Sequence, residues 1–321
     1  MPGGSADAER LQPGATVRFR HVCDASAAVV VGEHRLVVAN DEDDVLRVYD
    51  LRRGGRPIQS IDLSSELGVP QPGRESDLEG AATIDGVTWW IGSHARNRDG
   101  ETRPNRCVLA ATTVRFDEDR DQVVVEMVGA HHSSPKHGLL RAIVHLAEVG
   151  ALLRDAERRA PKATGGFNIE GLAGQGRALL IGLRNPIVDG RALVLRLANP
   201  MAMLQGREPA QLSSMWIDLE GAGIRSLSRA PDGNGYIVAA GHYSGRGDFS
   251  LFRWGGQPHD EPEPLPIGVG ELRVESVVNL PDGHVLALSD DGSVRRKGGR
   301  CKDRDPGDRY FRGQCIDLRQ T

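Results

Sequence analysis

The pentamer Asp77-Leu78-Glu79-Gly80-Ala81 opens an apolar run that ends at Gly92-Ser93-His94. It returns almost letter for letter as Asn168-Ile169-Glu170-Gly171-Leu172, before a run ending at Gly182-Leu183-Arg184. Each copy reads as the start of one structural unit. Looser copies stand at Asp24-Ala25-Ser26-Ala27-Ala28, Gly223-Ile224-Arg225-Ser226-Leu227 and Arg273-Val274-Glu275-Ser276-Val277. The starts are roughly fifty residues apart, a spacing typical of repeat arrays whose neighbouring units complete one another's core. The interval between positions 77 and 168 is nearly twice as long as the rest.

Outward from each pentamer, short β-forming runs alternate with turn residues. The first unit offers 25–31, 35–39, 45–51 and 57–63, the second 78–84, 88–91, 107–114 and 123–128, and the third 169–173, 178–183, 192–198 and 215–219. The fourth offers 224–228, 236–240, 249–254 and a poor run near 264–268; the last offers 274–280, 284–288, 293–297 and 314–318. Four short strands per unit is the signature of a propeller blade. Pro231-Asp232-Gly233 and Pro281-Asp282-Gly283 supply turns at the same place in their units. A further alternating run, Thr16-Val17-Arg18-Phe19-Arg20, precedes the first unit and can pair with the last to close a ring. The surplus over 129–166 carries Leu139, Ile143, Leu146 and Leu153 at helical spacing, which predicts a helix over 138–159. The expected fold is all-β. It is a single β-propeller domain over 15–321 with five four-stranded blades and one α-helix inserted between blades 2 and 3, within about 130–166, after a flexible tail over 1–14. A sixth blade made from the surplus is the alternative.

Composition sets the outer limits. The chain has 321 residues, 39% hydrophobic and 26% charged, a globular balance long enough to bury a substantial core. The formal charge of -4 gives no reason to expect nucleic acid as a partner. Among 40 basic residues only Lys136, Lys162, Lys297 and Lys302 are lysines. That is read as a coding bias toward arginine, with selection for anion binding as the alternative. No run is long and apolar enough to cross a membrane, and the first residues lack the apolar core of a secretory signal. Cys23, Cys107, Cys301 and Cys315 have no zinc-ligand spacing. Cys23 and Cys107 read as small buried residues, while Cys301 and Cys315 flank a polar loop across which they could pair.

The paired pentamers, followed by Gly92-Ser93-His94 and by Gly182-Leu183-Arg184-Asn185-Pro186, resemble the bacterial propellers of domain-of-unknown-function family three-six-one-six. That family is similar in turn to phytase-like and esterase-like propellers. The resemblance covers roughly 24–290 and implies a β-propeller and a cytoplasmic bacterial protein of undetermined activity. In phytase-like propellers, acids around the channel mouth hold calcium ions that bind a phosphoester. Here the resemblance points to Glu79, Glu170 and Asp77 as candidate metal ligands, with Glu275 a further match. The sequence lacks a dense Asp/Glu calcium cluster.

Antiparallel connection puts the start of each first strand and the end of each second strand on one face. That face gathers Asp24, Asn40, Asp41, Asp77, Glu79, Ser93, His94, Arg96, Asn168, Glu170, Arg184, Asn185, Arg225, His242, Tyr243, Glu275 and Asp290. The first reading is a site for a small anionic molecule, held by Arg184, Arg225, Asn40, Asn168, His242 and Glu275, with a phosphoester bound through a divalent cation such as Ca2+ as one form. If the protein is an enzyme, a phosphoester or ester hydrolase is expected, with Glu79, Glu170 and His94 as catalytic candidates. The second reading is a non-catalytic interaction scaffold, in which the Glu/Arg ring locks neighbouring units together. The helix over 138–159 is then a lid, a packing element, or a contact for a protein partner or second copy. His131, His132 and His137 lack a fourth metal partner, and Arg246-Gly247-Asp248 reads as a turn.

Overall fold

The computed structural model describes residues 11–69, 71, 74–296 and 298–320, so most of the expected tail and Lys297 lie outside the described residues. A leading strand β1 (Thr16–Arg20) precedes the first unit, β2 (Ala27–Val31), β3 (Arg35–Ala39), β4 (Val45–Asp50) and β5 (Gly54–Asp62). After a turn of helix α1 (Ser64–Leu67) comes the second unit, β6 (Leu78–Ile84), β7 (Val87–Gly92), β8 (Val108–Asp117) and β9 (Gln122–His132). Helices α2 (Gly138–Val144) and α3 (Gly150–Glu157) lead to β10 (Asn168–Gln175), β11 (Ala178–Val188), β12 (Arg191–Leu197), α4 (Pro200–Leu204) and β13 (Leu212–Asp218). The fourth unit is β14 (Gly223–Arg229), β15 (Tyr236–Gly241), β16 (Phe249–Trp254) and a short β17 (Glu263–Pro264). The last holds β18 (Val274–Asn279), β19 (Val285–Ser289), a small hairpin β20 (Arg295–Arg296) and β21 (Gly299–Arg300), and β22 (Tyr310–Ile316).

The molecule is all-β, built from four-stranded antiparallel sheets. Within each of the first four units the strands follow chain order, and the first strands β2, β6, β10, β14 and β18 each pack against the next, with β18 returning to β2. The last unit is completed from the other end of the chain: β1 pairs antiparallel with β22 over Thr16–Arg20, giving the order β18-β19-β22-β1. β1 also touches β5 in parallel at Phe19↔Gly55, so the first and last units form one eight-stranded sheet. Phe19, Tyr49 and Phe311 meet at this closure, with ring centroids 5.0 to 5.7 Å apart. The Tyr49 hydroxyl donates to the Arg20 carbonyl at 2.8 Å. Three of the chain's few aromatic rings therefore fasten the two ends of the array, where large buried surfaces stabilise most.

Three expectations need correcting. The third strand of the last unit is 310–316 rather than 293–297, because the run after Asp290 turns back on itself as the small hairpin before the chain rejoins the sheet. The insertion holds two short helices instead of one, and it begins later, since β9 continues through His131 and His132. A Cβ at Gly150 would sit 2.9 Å from the Val144 carbonyl, so glycine lets α3 fold tightly over the end of α2. Leu139, Leu140, Ile143, Val144 and Leu153 are buried with Trp89, Ile91, Phe167, Ile169 and Leu193, so the apolar stripe fills the core between the second and third units. Finally, Cys301 bonds to Cys23 and not to Cys315, which stays free and buried like Cys107. The hairpin excursion brings Cys301 to the start of the first unit, where the Asp291 amide also donates to the Cys23 carbonyl. Disulfides persist mainly in oxidising compartments, which runs against the cytoplasmic expectation.

Candidate functional site at the mouth of the ring

In four units the first strand skips one residue in pairing with the second. The skipped residue is the third of the pentamer: Glu79, Glu170, Arg225 and Glu275. A bulge of this kind leaves a residue out of the ladder and re-aims its side chain. Here these residues turn toward one another across unit boundaries. Arg225 Nη1 lies 2.7 Å from Glu170 Oε2, and its Nη2 is bonded to Glu275 Oε1. The glycine after each glutamate completes the motif. A Cβ on Gly80 would fall 2.8 Å from that of Leu172, and one on Gly171 2.9 Å from the Ile224 side chain. The Glu-Gly pair thus turns an acid inward and lets the next unit's first strand close against it.

Register also fixes the second-strand residue just beyond each bulge. Leu78 pairs with Gly92 and Ile169 with Leu183, so Ser93 and Arg184 are counterparts, and His94 matches Asn185. In the last unit Val274 pairs with Ser289, which puts Asp290 at the same place. Glu170 is consequently bound from two sides, by Arg184 of its own unit and Arg225 of the next. Asn168 Nδ2 donates to the same carboxylate at 2.6 Å. Glu79 has Ser93 beside it, whose hydroxyl is committed to Asp77, and Glu170 as its forward neighbour.

The chain matches the model of a family described as Protein of unknown function (DUF3616) over residues 24–128 and 101–287. It belongs to that family. No curated protein matches it. Among solved structures, glutaminyl cyclase of Myxococcus xanthus is 11% identical at TM-score 0.44, covering 95% of this chain and 99% of that one. The gluconolactonase XC5397 of Xanthomonas campestris is 13% identical at 0.42, covering 98% and 83%, and a glucose dehydrogenase 15% identical at 0.42, covering 96% and 99%. At such identities and scores these likenesses carry neither substrate nor mechanism.

The DUF3616 mouth is electrically lopsided. On the side of the third and fourth units a cavity of about 440 Å³ is lined by Lys162, Arg184, Arg225, Arg246 and Arg273, with Glu275 and Asp290 among them. Arg184 is 4% exposed. Its Nε donates to the Tyr243 carbonyl at 2.7 Å and its Nη1 to Glu170, but its buried Nη2 has no hydrogen-bond partner among the described residues. Burial alone would lower the Arg225 pKa, yet Glu170 and Glu275 hold it above its usual value. On the other side Asp24, Asp41, Asp77 and Glu79 crowd together, with Arg106 paired to Asp77 at 2.9 Å. Burial, then Glu170 and Asp77, push the Glu79 carboxyl well above the ordinary range. Desolvation, then Asp77 and Asp290, raise Asp41 to about 7, although its side chain remains exposed to solvent, which screens the effect. Burial, followed by Asp41 and Asp290, also pushes the Asp24 carboxyl well above the ordinary range.

Of the predicted site residues, the cavity collects Arg184, Arg225, Glu275 and Asp290. His242 lies in an adjoining hollow with Tyr243 and Lys162, its Nδ1 2.7 Å from the Ser244 hydroxyl. Others serve the framework. Asn40 Oδ1 accepts the Asp43 amide in a turn, and Asn168 orients Glu170. Asn185 Nδ2 donates to the Pro161 and Ala163 carbonyls, and Arg96 Nε to the Glu157 carbonyl at the end of α3. His94 is buried, and that burial lowers its pKa to about 4; its Nδ1 donates to the Gly92 carbonyl at 2.9 Å. Among the described residues no group of three His, Cys, Asp or Glu is placed to hold a metal, and both Glu170 oxygens face guanidiniums. The metal set of Glu79, Glu170 and Asp77 is therefore not assembled here.

Sequence reasoning missed Lys162, Arg246 and Arg273. Arg273 was visible as the first residue of its pentamer, where Asp77 and Asn168 stand in theirs. Arg246 was set aside as part of a turn; it is one, between β15 and β16, and it carries its charge to the cavity. Lys162 lies in the insertion, whose fold the repeat could not predict.

Proposed function

We propose that the five units are the blades of a propeller and that its mouth binds a small anionic ligand, a phosphoester or carboxylate, in the arginine-lined cavity. The observation that carries this reading is Arg184 Nη2, a buried donor with no partner among the described residues, on the wall of a cavity it shares with four other cations. Leaving such a donor unsatisfied costs stability, and a charge-assisted hydrogen bond donated from Nη2 to an anionic ligand oxygen would recover it. Lys162, Arg246 and Arg273 add charge that no acid within 4 Å neutralises among the described residues. The volume falls in the range of small-molecule sites, about 300–1,000 Å³. Glu170 belongs to the framework on this reading, as the scaffold alternative holds. Glu79, Glu170 and His94 do not line the cavity, so hydrolysis through them forms no part of it.

Binding of inorganic phosphate and of butyrate, followed by calorimetry, tests the proposal. Arg273→Gln and Arg246→Gln should each weaken binding about tenfold, the effect of losing one good charge-assisted contact, while the melting temperature of the free protein stays unchanged. Affinity that is absent for both anions, or indifferent to both substitutions, would overturn it.

A further inference from the structure

The cavity holds charge of both signs that it does not pair internally. Arg246, Arg273 and Lys162 make no ion pair within 4 Å among the described residues, and neither does Asp290, which lines the same wall. Asp290 Oδ1 accepts the Gly292 amide at 2.7 Å, and no donor among the described residues reaches its other oxygen. Arg273 Nη1 turns to the Ser293 hydroxyl instead of to Asp290. Arg273 and Asp290 are both half-buried on that wall, where an ion pair would strengthen as water is excluded, while Arg246 and Lys162 reach the cavity from its exposed side. A fold that keeps them apart leaves two complementary anchors.

The acidic anchor continues beyond the cavity. Asp290 is among the charges felt by Asp24 and Asp41, and Glu79 and Glu275 feel Asp41 as well. Glu79 makes no hydrogen bond or ion pair within 4 Å among the described residues. The register explains why. Position for position, the residues that neutralise Glu170 are Arg184 and Arg225, and their counterparts around Glu79 are Ser93 and Glu170. The unpaired acids Glu79 and Asp290 are thus both within electrostatic reach of Arg225 on the cavity wall.

Resting on the anion-site reading above, we propose that the ligand is bipolar: its anionic group is held by Arg184, Arg246, Arg273 and Lys162, and a cationic amine on the same molecule is held by Asp290 and the acids beyond it. An organic cation suits the acidic side better than a bare metal ion. Ammonium needs only a few acceptors in loose geometry, whereas calcium takes 6–8 oxygen ligands, and no three-ligand group is assembled among the described residues.

The test pairs probes that differ by one amine: inorganic phosphate with phosphoethanolamine, and butyrate with γ-aminobutyrate. Each is titrated calorimetrically into the whole protein, with and without a chelator. The amine-bearing member of at least one pair should bind ten times more tightly or better, independent of chelator. Asp290→Asn keeps the acceptor for the Gly292 amide and should erase that excess, while phosphate and butyrate, relieved of a nearby negative charge, should bind no more weakly than before. Arg273→Gln should weaken both members of a pair equally. Equal affinity within both pairs would overturn the bipolar ligand but leave the anion site standing, as would an excess that survives Asp290→Asn or that requires calcium. No binding of any probe would overturn both.

Discussion

Glu79 and Glu170 occupy the same bulge of the same motif, each followed by a glycine that a neighbouring unit presses against, yet their environments are opposite. Glu170 is held by two arginines and an asparagine. Glu79 faces Ser93 in its own unit and an acid in the next. The motif therefore fixes where a side chain points, and the partner positions fix what it does there. One is the second-strand residue just beyond the bulge; the other is the third pentamer residue of the following unit. Alternating Glu170, Arg225 and Glu275 makes a chain of attraction through the third, fourth and fifth units, and the succession Glu79 to Glu170 breaks it.

The largest expected effect lies on the paired side. Glu170→Gln removes the charge that compensates Arg184 and Arg225, both almost fully buried. Breaking a buried pair by removing one partner costs about 3–5 kcal/mol. Urea unfolding should show a loss of that order. A change below about 1 kcal/mol would mean that the arginines find other partners easily, and the contrast with Glu79 would collapse.

A middle-sized effect tests what the two sites share. Gly171→Ala and Gly80→Ala each place a methyl group within 3 Å of a side chain in the next unit. Overpacking of this kind costs about 1–3 kcal/mol. Similar losses from both would show that closure between units is a property of the motif, independent of charge. A loss at one glycine alone would show that the two pentamers are not equivalent in the backbone either.

How much of this the sequence could disclose follows from the same distinction. Repeats report local geometry, so the pentamers located the first strands, and the spacing of apolar runs located most others. The inward turn of Glu79 and Glu170 toward a common rim was legible for that reason. Partners were less so. Both units carry the same bulge, so their residues correspond position for position; aligning the glycines Gly92 and Gly182 sets His94 against Arg184, when pairing makes it Ser93. Cys301 found Cys23 because the chain between Asp290 and Tyr310 leaves the sheet as a hairpin, and no period in the sequence describes an excursion. Lys162 and Arg246 reach the cavity from an insertion and a loop, which lie outside the repeat altogether.

The smallest effect in stability is the most discriminating in sign. The half-buried Glu79 carboxyl has its pKa well above the ordinary value. The folded state therefore holds a proton that the unfolded state releases near pH 4. Where the native state binds more protons, stability falls as pH rises. This carboxyl should make the protein less stable as pH rises from about 4 toward 7. His94 acts the other way over about pH 4 to 6.5, since its native pKa is depressed to about 4 and stability grows as the unfolded imidazole loses its proton. Glu79→Gln leaves the contribution of the histidine in place and removes that of the acid, so the difference between variant and native stability isolates the carboxyl. It should favour the variant, and grow, as pH rises through that window. Glu170→Gln should show a deficit at every pH there. If Glu79→Gln instead destabilised the protein at pH 7 as Glu170→Gln does, Glu79 would have to carry a stabilising partner, and the mouth would be paired all the way round.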